Sequence, residues 1–424
     1  MSMRLNRFVV FAVFAALASG ARAAEILTLE GAVAEGLKNQ PLAAEARAAA
    51  DGARARSGQA LAAYYPQISV AADWTKSRAY YPILGAGAAK EAEVNLAAVY
   101  LKQTLYDFGR TSGAAKAARQ NHAAAEQVYA SARQDIVFRI KTAYYLALAA
   151  EKQVSADSET VKARDEVYRQ ALAFFTEGLR PKIDSSRAES NLYAAKTALV
   201  RAENNRDLAR LELAGAMGRE EEDPRVLAEP EAPLPELPAR EELQRQALAQ
   251  RAEMKRLELL RSAAAAGARS SRSDYLPVFS GTASAGRADR DFPPNGATWS
   301  VGANLSLPLF SGFSTREKVR EADASLRAVE AAQKSERLII VKELDTAWLS
   351  VREAVARTAS TGKQVEAARE NRTLAGGRYQ EGVGSIIEVT DAQSQAIDAE
   401  TAQIQATYDA RIALARLDRA VGKE

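Results

Sequence analysis

The chain has 424 residues, no cysteine, one histidine (His122) and a formal charge of +3. Without cysteine, disulfides, thiolate metal sites and a lipid-bearing N-terminal cysteine are excluded. Arg4, Arg7 and Arg22 carry all of that charge within the first 23 residues, so the remainder is neutral, which weakens any nucleic-acid reading that would need a basic face. His122 stands alone in an Ala-rich stretch and reads as a solvated or packed side chain. No metal site and no cofactor motif is expected.

Met1 to Ala23 reads as a secretory signal. Arg4 and Arg7 open it, Phe8 to Leu17 is a short apolar run, and Ala21-Arg22-Ala23 supplies small residues for cleavage after about Ala23. No later run approaches the ~20 apolar residues of a membrane helix. An exported chain of this kind is periplasmic, secreted or an outer-membrane barrel.

The rest of the chain contains itself twice. Leu105-Tyr106-Asp107-Phe108 aligns with Leu309-Phe310-Ser311-Gly312 at an offset of 204 residues. The same offset joins Thr142-Ala143-Tyr144 to Thr346-Ala347-Trp348, Glu177-Gly178-Leu179 to Glu381-Gly382-Val383, and Gly218 to Gly422. The fronts of the halves repeat at 211, with Leu37 matching Leu248 and Tyr65-Pro66 matching Leu276-Pro277. The first copy therefore holds seven extra residues between Pro66 and Tyr106, which predicts a loop there. Such repetition defines one structure of two similar halves: residues 24–218, a Pro-rich linker 219–239, and residues 240–422.

In chain order, a helix is predicted from Thr28, a good N-cap, to about Ala63. Ile68, Val70, Ala72 and Trp74 then alternate with small or polar residues, as in a strand. Leu96 to Leu105 reads as its partner, with a loop near Lys76–Glu93. Ala114 to Glu177 lacks glycine and proline and is rich in helix formers. One helix from Gly109 to a turn at Gly178 would run roughly 100 Å. The return segment, about Asp184 to Gly218, is half as long, so stacking it end to end with the first short helix would match the long one. The linker holds Pro224, Pro230, Pro233, Pro235 and Pro238 and cannot be helical. The second half repeats the plan: a helix over about 240–273, strands at Val278–Ala285 and Trp299–Leu307 with a loop near Arg287–Thr298, a long helix, a turn at Gly382 and a return over 388–422. Val341, Leu344, Trp348, Val351 and Val355 alternate by three and four, which predicts a coiled-coil seam.

The strands have one apolar face and small polar residues opposite, which suits a lipid-facing wall. Tyr64, Tyr65, Tyr80, Tyr81, Tyr106, Tyr275 and Phe310 sit at strand ends, where interfacial aromatics belong. Four strands cannot close a barrel, so closure requires several chains.

The opening Leu27-Thr28-Leu29-Glu30-Gly31-Ala32, the Gln40-Pro41 step, both strand-to-helix junctions and both glycine hairpins resemble the TolC-like outer membrane efflux proteins over essentially the whole mature chain. That resemblance implies a mainly α fold with a transmembrane β-barrel portion. It implies a homotrimer in outer-membrane lipid, with a twelve-stranded barrel and a twelve-helix periplasmic tunnel. It also implies recruitment by a periplasmic adaptor (a membrane fusion protein) and an inner-membrane pump of the ABC (type I secretion) or RND (efflux) kind. Gly178, Leu179, Gly382 and Val383 would be the adaptor-contacting tips, unless they are plain helix connections. Tyr379, Glu388 and Asp391 on the inner hairpin and Asp184 on the outer one would form the periplasmic gate, with Asp184 bonding Tyr379. Gly384 and Thr407 stand where a well-characterised member has arginines, so the lock here should be weaker or differently wired. Taken alone, Glu388 and Asp391 at i, i+3 read as a solvated helix face.

The competing reading is a periplasmic adaptor or a coiled-coil structural protein. Adaptors usually carry one helical hairpin with lipoyl-like β modules, and two evenly placed strand pairs favour the duct. An enzyme fits poorly, because no nucleophile elbow or clustered titratable site is present.

Overall fold

The computed structural model describes residues 26–83, 86–230 and 235–424. The expected export signal (residues 1–23), Pro233 and the side chains of Tyr80 and Tyr81 lie outside that description. The elements are β1 (Ile26–Leu27), α1 (Leu29–Asn39), α2 (Pro41–Leu61), β2 (Gln67–Ile83), β3 (Ala86–Tyr106), α3 (Arg110–Thr176), α4 (Lys182–Ala216), β4 (Val226–Leu227), α5 (Arg240–Gln250), α6 (Ala252–Arg272), β5 (Val278–Asp289), β6 (Gly296–Ser306), α7 (Ser314–Gln380) and α8 (Ile386–Val421).

Both long helices, α3 and α7, have 67 residues. They start on equivalent side chains. Asp107 accepts from the Thr111 amide at 2.8 Å and Ser311 from the Thr315 amide at 3.3 Å, each satisfying a free amino-terminal donor. Thr28 caps α1 as expected, accepting from the Gly31 amide at 3.1 Å.

The short helices differ from the sequence reading. Each segment is two helices, broken at Gln40 and at Arg251, positions 211 apart. Proline explains the first break but not the second. Both breaks serve as joints. Gln40 donates through Nε2 to the Gly215 and Ala216 carbonyls at 3.2 and 3.0 Å, satisfying the end of α4. Gly218, at φ +74°, comes so close that a Cβ there would lie 2.9 Å from the Asn39 carbonyl carbon. In the second half Gly422, at φ +94°, meets Arg251 in the same way, and Gln134 of α3 donates to the Gly422 carbonyl at 2.8 Å. So α4 and α2 lie end to end along α3, while α8 meets the α5–α6 break.

The core forms at these joints. Ile140, Tyr144 and Leu148 pack with Leu213 and Met217; Ile340, Leu344 and Val351 pack with Leu417 and Val421. The second seam is thus Ile340, Leu344, Ala347, Val351 and Ala354. Val355 is 40% exposed, and Trp348 packs only at the edge. Trp348 instead donates to the Pro238 carbonyl at 3.2 Å, while its counterpart Tyr144 donates to Leu27 and Ala228 carbonyls at 2.8 and 2.7 Å. Burial pushes the Tyr144 hydroxyl up to about 12. These bonds tie down the linker, whose β4 pairs in parallel with β1.

The four long strands form one antiparallel sheet in the order β2-β3-β5-β6. Its register lines up apolar rows: Val70, Val99, Ala285 and Trp299, then Ile68, Leu101, Ala283 and Val301. Every residue of β6 is exposed in the single chain. The loop expected near Lys76–Glu93 is a correction. Lys76 pairs with Glu93, and pairing continues to Ile83 and Ala86. The seven extra residues lengthen a two-stranded ribbon, because paired backbone satisfies its own hydrogen bonds whereas a long loop does not.

Glu253 binds the second joint. It accepts from Arg251 at 3.1 Å and from Arg419 at 2.6 Å. Burial pushes its carboxyl up, but those bonds outweigh burial and hold it down at about 2. Its stabilising contribution is therefore complete above the ordinary value of 4.5 and is lost as pH falls from there to about 2. Glu253→Gln should cost about 3 kcal/mol at pH 7, and helical unfolding followed by circular dichroism should show a flatter acid limb between those pH values.

Candidate functional site

The helical tips opposite the sheet bring together the residues singled out in the sequence. Each tip is a glycine turn with the same bonds. Leu179 donates to the Phe174 carbonyl at 2.9 Å, and Val383, its counterpart, to the Arg378 carbonyl at 3.0 Å. Gly178 and Gly382 have φ +72° and +80° with open space around the missing Cβ, so backbone conformation alone demands glycine. Leu179 and Val383 are each 65% exposed.

Behind the inner turn, Tyr379 is buried with Ile386 and Val389, against Val167 and Phe174 of α3. The Phe174 and Tyr379 ring centroids are 5.8 Å apart. Asp184 is buried close enough to raise the Tyr379 hydroxyl further, after burial itself. The expected bond between them is not made in the single chain, and the Tyr379 hydroxyl has no partner. The ring is held by Phe174 and by the Arg180 guanidinium, which lies 5.3 Å from its centroid.

Glu388 and Asp391 lie on the first turns of α8. Ser385 caps this helix by accepting from the Glu388 amide at 3.2 Å. The Glu388 carboxylate pairs with Arg378 at 3.2 Å, both side chains being half-exposed. Asp391 is exposed and has no ion pair among the described residues. Gly384 packs closely on the end of α7, where a Cβ would lie 3.0 Å from the Tyr379 nitrogen and the backbone would have to give slightly. Thr407 bonds within α8 to the Gln403 carbonyl at 2.8 Å and supplies no charge.

Three arginines escaped the sequence reading. Arg378 offsets Glu388. Arg180 reaches from the outer tip to the Gly382 and Gly384 carbonyls at 3.1 and 3.0 Å. Arg164 is 7% exposed on α3; its Nη2 donates to Ser394 at 3.0 Å and its Nη1 has no partner. Burial lowers its pKa, and no carboxylate offsets that. It lines a groove of about 570 Å³ with Val167, Gly376 and Gln393, and with Glu159, Glu166 and Glu400, none of which forms an ion pair with it among the described residues. The seam between α3 and α8 is therefore polar here, between an apolar core above and the apolar tip below. Only Arg180 had any signal, standing 204 residues before Gly384.

Two long helical hairpins hung from an open, apolar-faced sheet define an outer-membrane channel protein with a periplasmic helical portion. The outer membrane efflux protein model matches residues 32–219 and 243–423, and the chain belongs to that family. It is 26% identical to protein CyaE of Bordetella pertussis over 81% of this chain and 73% of that one. Identity to outer membrane protein TolC of Salmonella enteritidis is 23%, over 84% and 74%. Solved structures share the fold: the outer-membrane channel OprN (TM-score 0.82, 21% identity, 93% and 90% covered) and VceC of Vibrio cholerae (0.79, 19%, 93% and 96%). OprN is an outer-membrane channel, and family membership makes this chain an outer-membrane export channel protein of a Gram-negative cell.

A buried cation without a counter-charge destabilises its surroundings, and its replacement by an apolar side chain of similar volume is often neutral or stabilising. Arg164→Met should raise thermal stability by up to about 1 kcal/mol despite losing the Ser394 bond. A calorimetric midpoint well below that of the unmodified protein would contradict this.

Proposed function

We propose that three copies form a continuous export duct. It takes substrates from a periplasmic adaptor and an inner-membrane ABC or RND pump to the cell exterior. The observation that carries this reading is the four-stranded sheet, whose β2 and β6 edges are unpaired while apolar rows cross all four strands. Unpaired strand edges are not tolerated in lipid. Edge pairing among three copies removes them and gives twelve strands. Residues 1–23 would direct export and be cleaved after about Ala23. Relatives of both secretion and efflux kinds, alkaline protease secretion protein AprF and the toluene efflux pump protein TtgI, keep both pump classes open.

The internal repeat supports the trimer residue by residue. Within the chain, Tyr145 of α3 shares a cluster with Ile404 and Ile412 of α8. A shift of 204 turns these into Leu349 of α7 and Val200 and Leu208 of α4. Those three are exposed in the single chain, at 46%, 64% and 56%. Packing α7 of one copy against α4 of the next would cover them as their counterparts are covered. With cysteines at Leu349 and Leu208, mild oxidation of outer-membrane extracts should give covalent species up to three chains. A ladder that stops at monomer would count against the arrangement.

In this assembly Gly178, Leu179, Gly382 and Val383 form the adaptor-facing tips. Tyr379, Glu388, Asp391 and Asp184 form the gate at the tunnel mouth. Asp391, unpaired in each copy, and Glu388, partly offset by Arg378, would attract cations at that mouth. Glu388→Ala with Asp391→Ala should lower cation selectivity in planar bilayers and abolish block by divalent cations. Unchanged selectivity would return these acids to a solvated helix face.

A further inference from the structure

At the second joint, where α6 and α8 meet, a groove of about 510 Å³ runs between α3 and α7. Phe138, Ile339 and Ala420 give it an apolar lining, and Ile339 is 45% exposed. Lys342 and Arg416 line it as well. The charges here do not cancel. Asp135 is taken by Arg419 and Glu343 by Arg251, and Glu253 binds both of those arginines. The side chains of Lys342 and Arg416 are exposed and have no ion pair among the described residues. Two unspent cations therefore stand beside an apolar surface.

The repeat supplies a comparison. On the α4 side of α3 a second groove, of about 440 Å³, is lined by Phe138, Thr142 and Leu146 with Arg139 and Glu212. At the offset of 204, Glu212 is the counterpart of Arg416 and Arg139 that of Glu343. Asp135 also reaches this groove but is already paired with Arg419. One cation then meets one carboxylate, and no surplus is left. Two grooves of one plan thus differ in charge.

Helical periodicity fixes where the first groove opens. Asp135 and Ile339 each stand nine residues before Tyr144 and Trp348, which is about two and a half turns. They therefore face away from the linker that Tyr144 and Trp348 hold. A closed ring of helices has room for the linker layer only on its outside, so in the proposed trimer this groove opens into the lumen.

We infer that the groove is a binding site for amphipathic anions, molecules with an apolar body and one carboxylate or sulfonate. Only its place in the lumen rests on the duct reading. Phe138 and Ile339 take the apolar body, while Lys342 and Arg416 hold the anionic group. A cleft of this kind takes its selectivity from a few placed polar groups. The guanidinium offers a flat fork to the anion and the ammonium a mobile charge. Because the groove is open to water, its ligand is held weakly and released again, as suits a solute in transit.

The test uses the full-length protein in an uncharged detergent, with naphthalene sulfonate as the probe and protein-free micelles as the blank. Titration calorimetry should show saturable binding of one probe per chain. Lys342→Gln with Arg416→Gln should weaken it roughly tenfold or more, the effect of losing charged contacts. Phe138→Ala should weaken it roughly fivefold through lost apolar contact. Lys342→Arg with Arg416→Lys should keep it, since the charge remains. Methane sulfonate, which lacks the apolar body, and naphthalene methanol, which lacks the charge, should each bind far more weakly. In planar bilayers naphthalene sulfonate should reduce the conductance of the unmodified channel and spare the glutamine pair.

The site is overturned if the unmodified protein shows no saturable binding, if the glutamine pair binds as well as it does, or if the neutral alcohol binds equally. A charge-keeping pair that binds as poorly as the glutamine pair also overturns it, because the loss would then be one of shape. A channel that conducts and binds the probe without being blocked overturns the place in the lumen. A protein that binds the probe yet forms no channel keeps the site and overturns the duct reading instead.

Discussion

A 67-residue helix rises about 100 Å, and no ordinary return helix can cover it. The 35 residues of α4 span roughly half that length, and the 21 of α2 fill part of the remainder. The two must meet end to end, and where they meet, the free carbonyls of α4 would be buried. The Gln40 amide and the left-handed Gly218 resolve this at the first joint. Gln134, Gly422 and the Arg251–Glu253–Arg419 cluster resolve it at the second. The apolar clusters gather at these joints because only there do several helices converge. The linker is drawn to the same level, held by Tyr144 and Trp348.

Much of this was legible in the sequence. The offset of 204 announced the duplication, the Gly-free stretch the long helices, and Gly178 and Gly382 their turns. The joints were not legible, because Arg251 breaks a helix without proline and its reason lies in Gly422, far away in the chain. The seam in α7 is offset by one position at three of its five places, since the buried residues Ala347 and Ala354 sit beside the larger and more apolar Trp348 and Val355. The extra residues of the first hairpin read as a loop because insertions are usually tolerated in loops, whereas here they extend two paired strands. At the tips, sequence identified the acids and the tyrosine but not their partners. Arg378 and Arg180 act across turns or hairpins, at spacings no local pattern marks.

Those partners change the electrostatic character of the tips. Glu388 and Asp391 read as two bare carboxylates per chain, but Glu388 is half neutralised by Arg378. Arg180 adds a second cation within the same few turns. In the proposed trimer the mouth would thus combine ion pairs with the unpaired Asp391 of each copy. Dipoles steer ions over shorter distances than net charges do, so selection there would depend on close approach more than on long-range attraction.

Beyond the sheet, β2 and β3 pair only with each other, from Thr75 and Val94 to Ile83 and Ala86. Among the described residues no other element of the chain pairs with that ribbon. Its one rule is parity. Side chains alternate sides along a strand, so removing two residues from each strand leaves every remaining side chain on its original face, while removing one turns the outer portion over. The ribbon is therefore the part of this molecule most open to drift in length among its descendants, in matched steps, with the register of the sheet beneath it untouched.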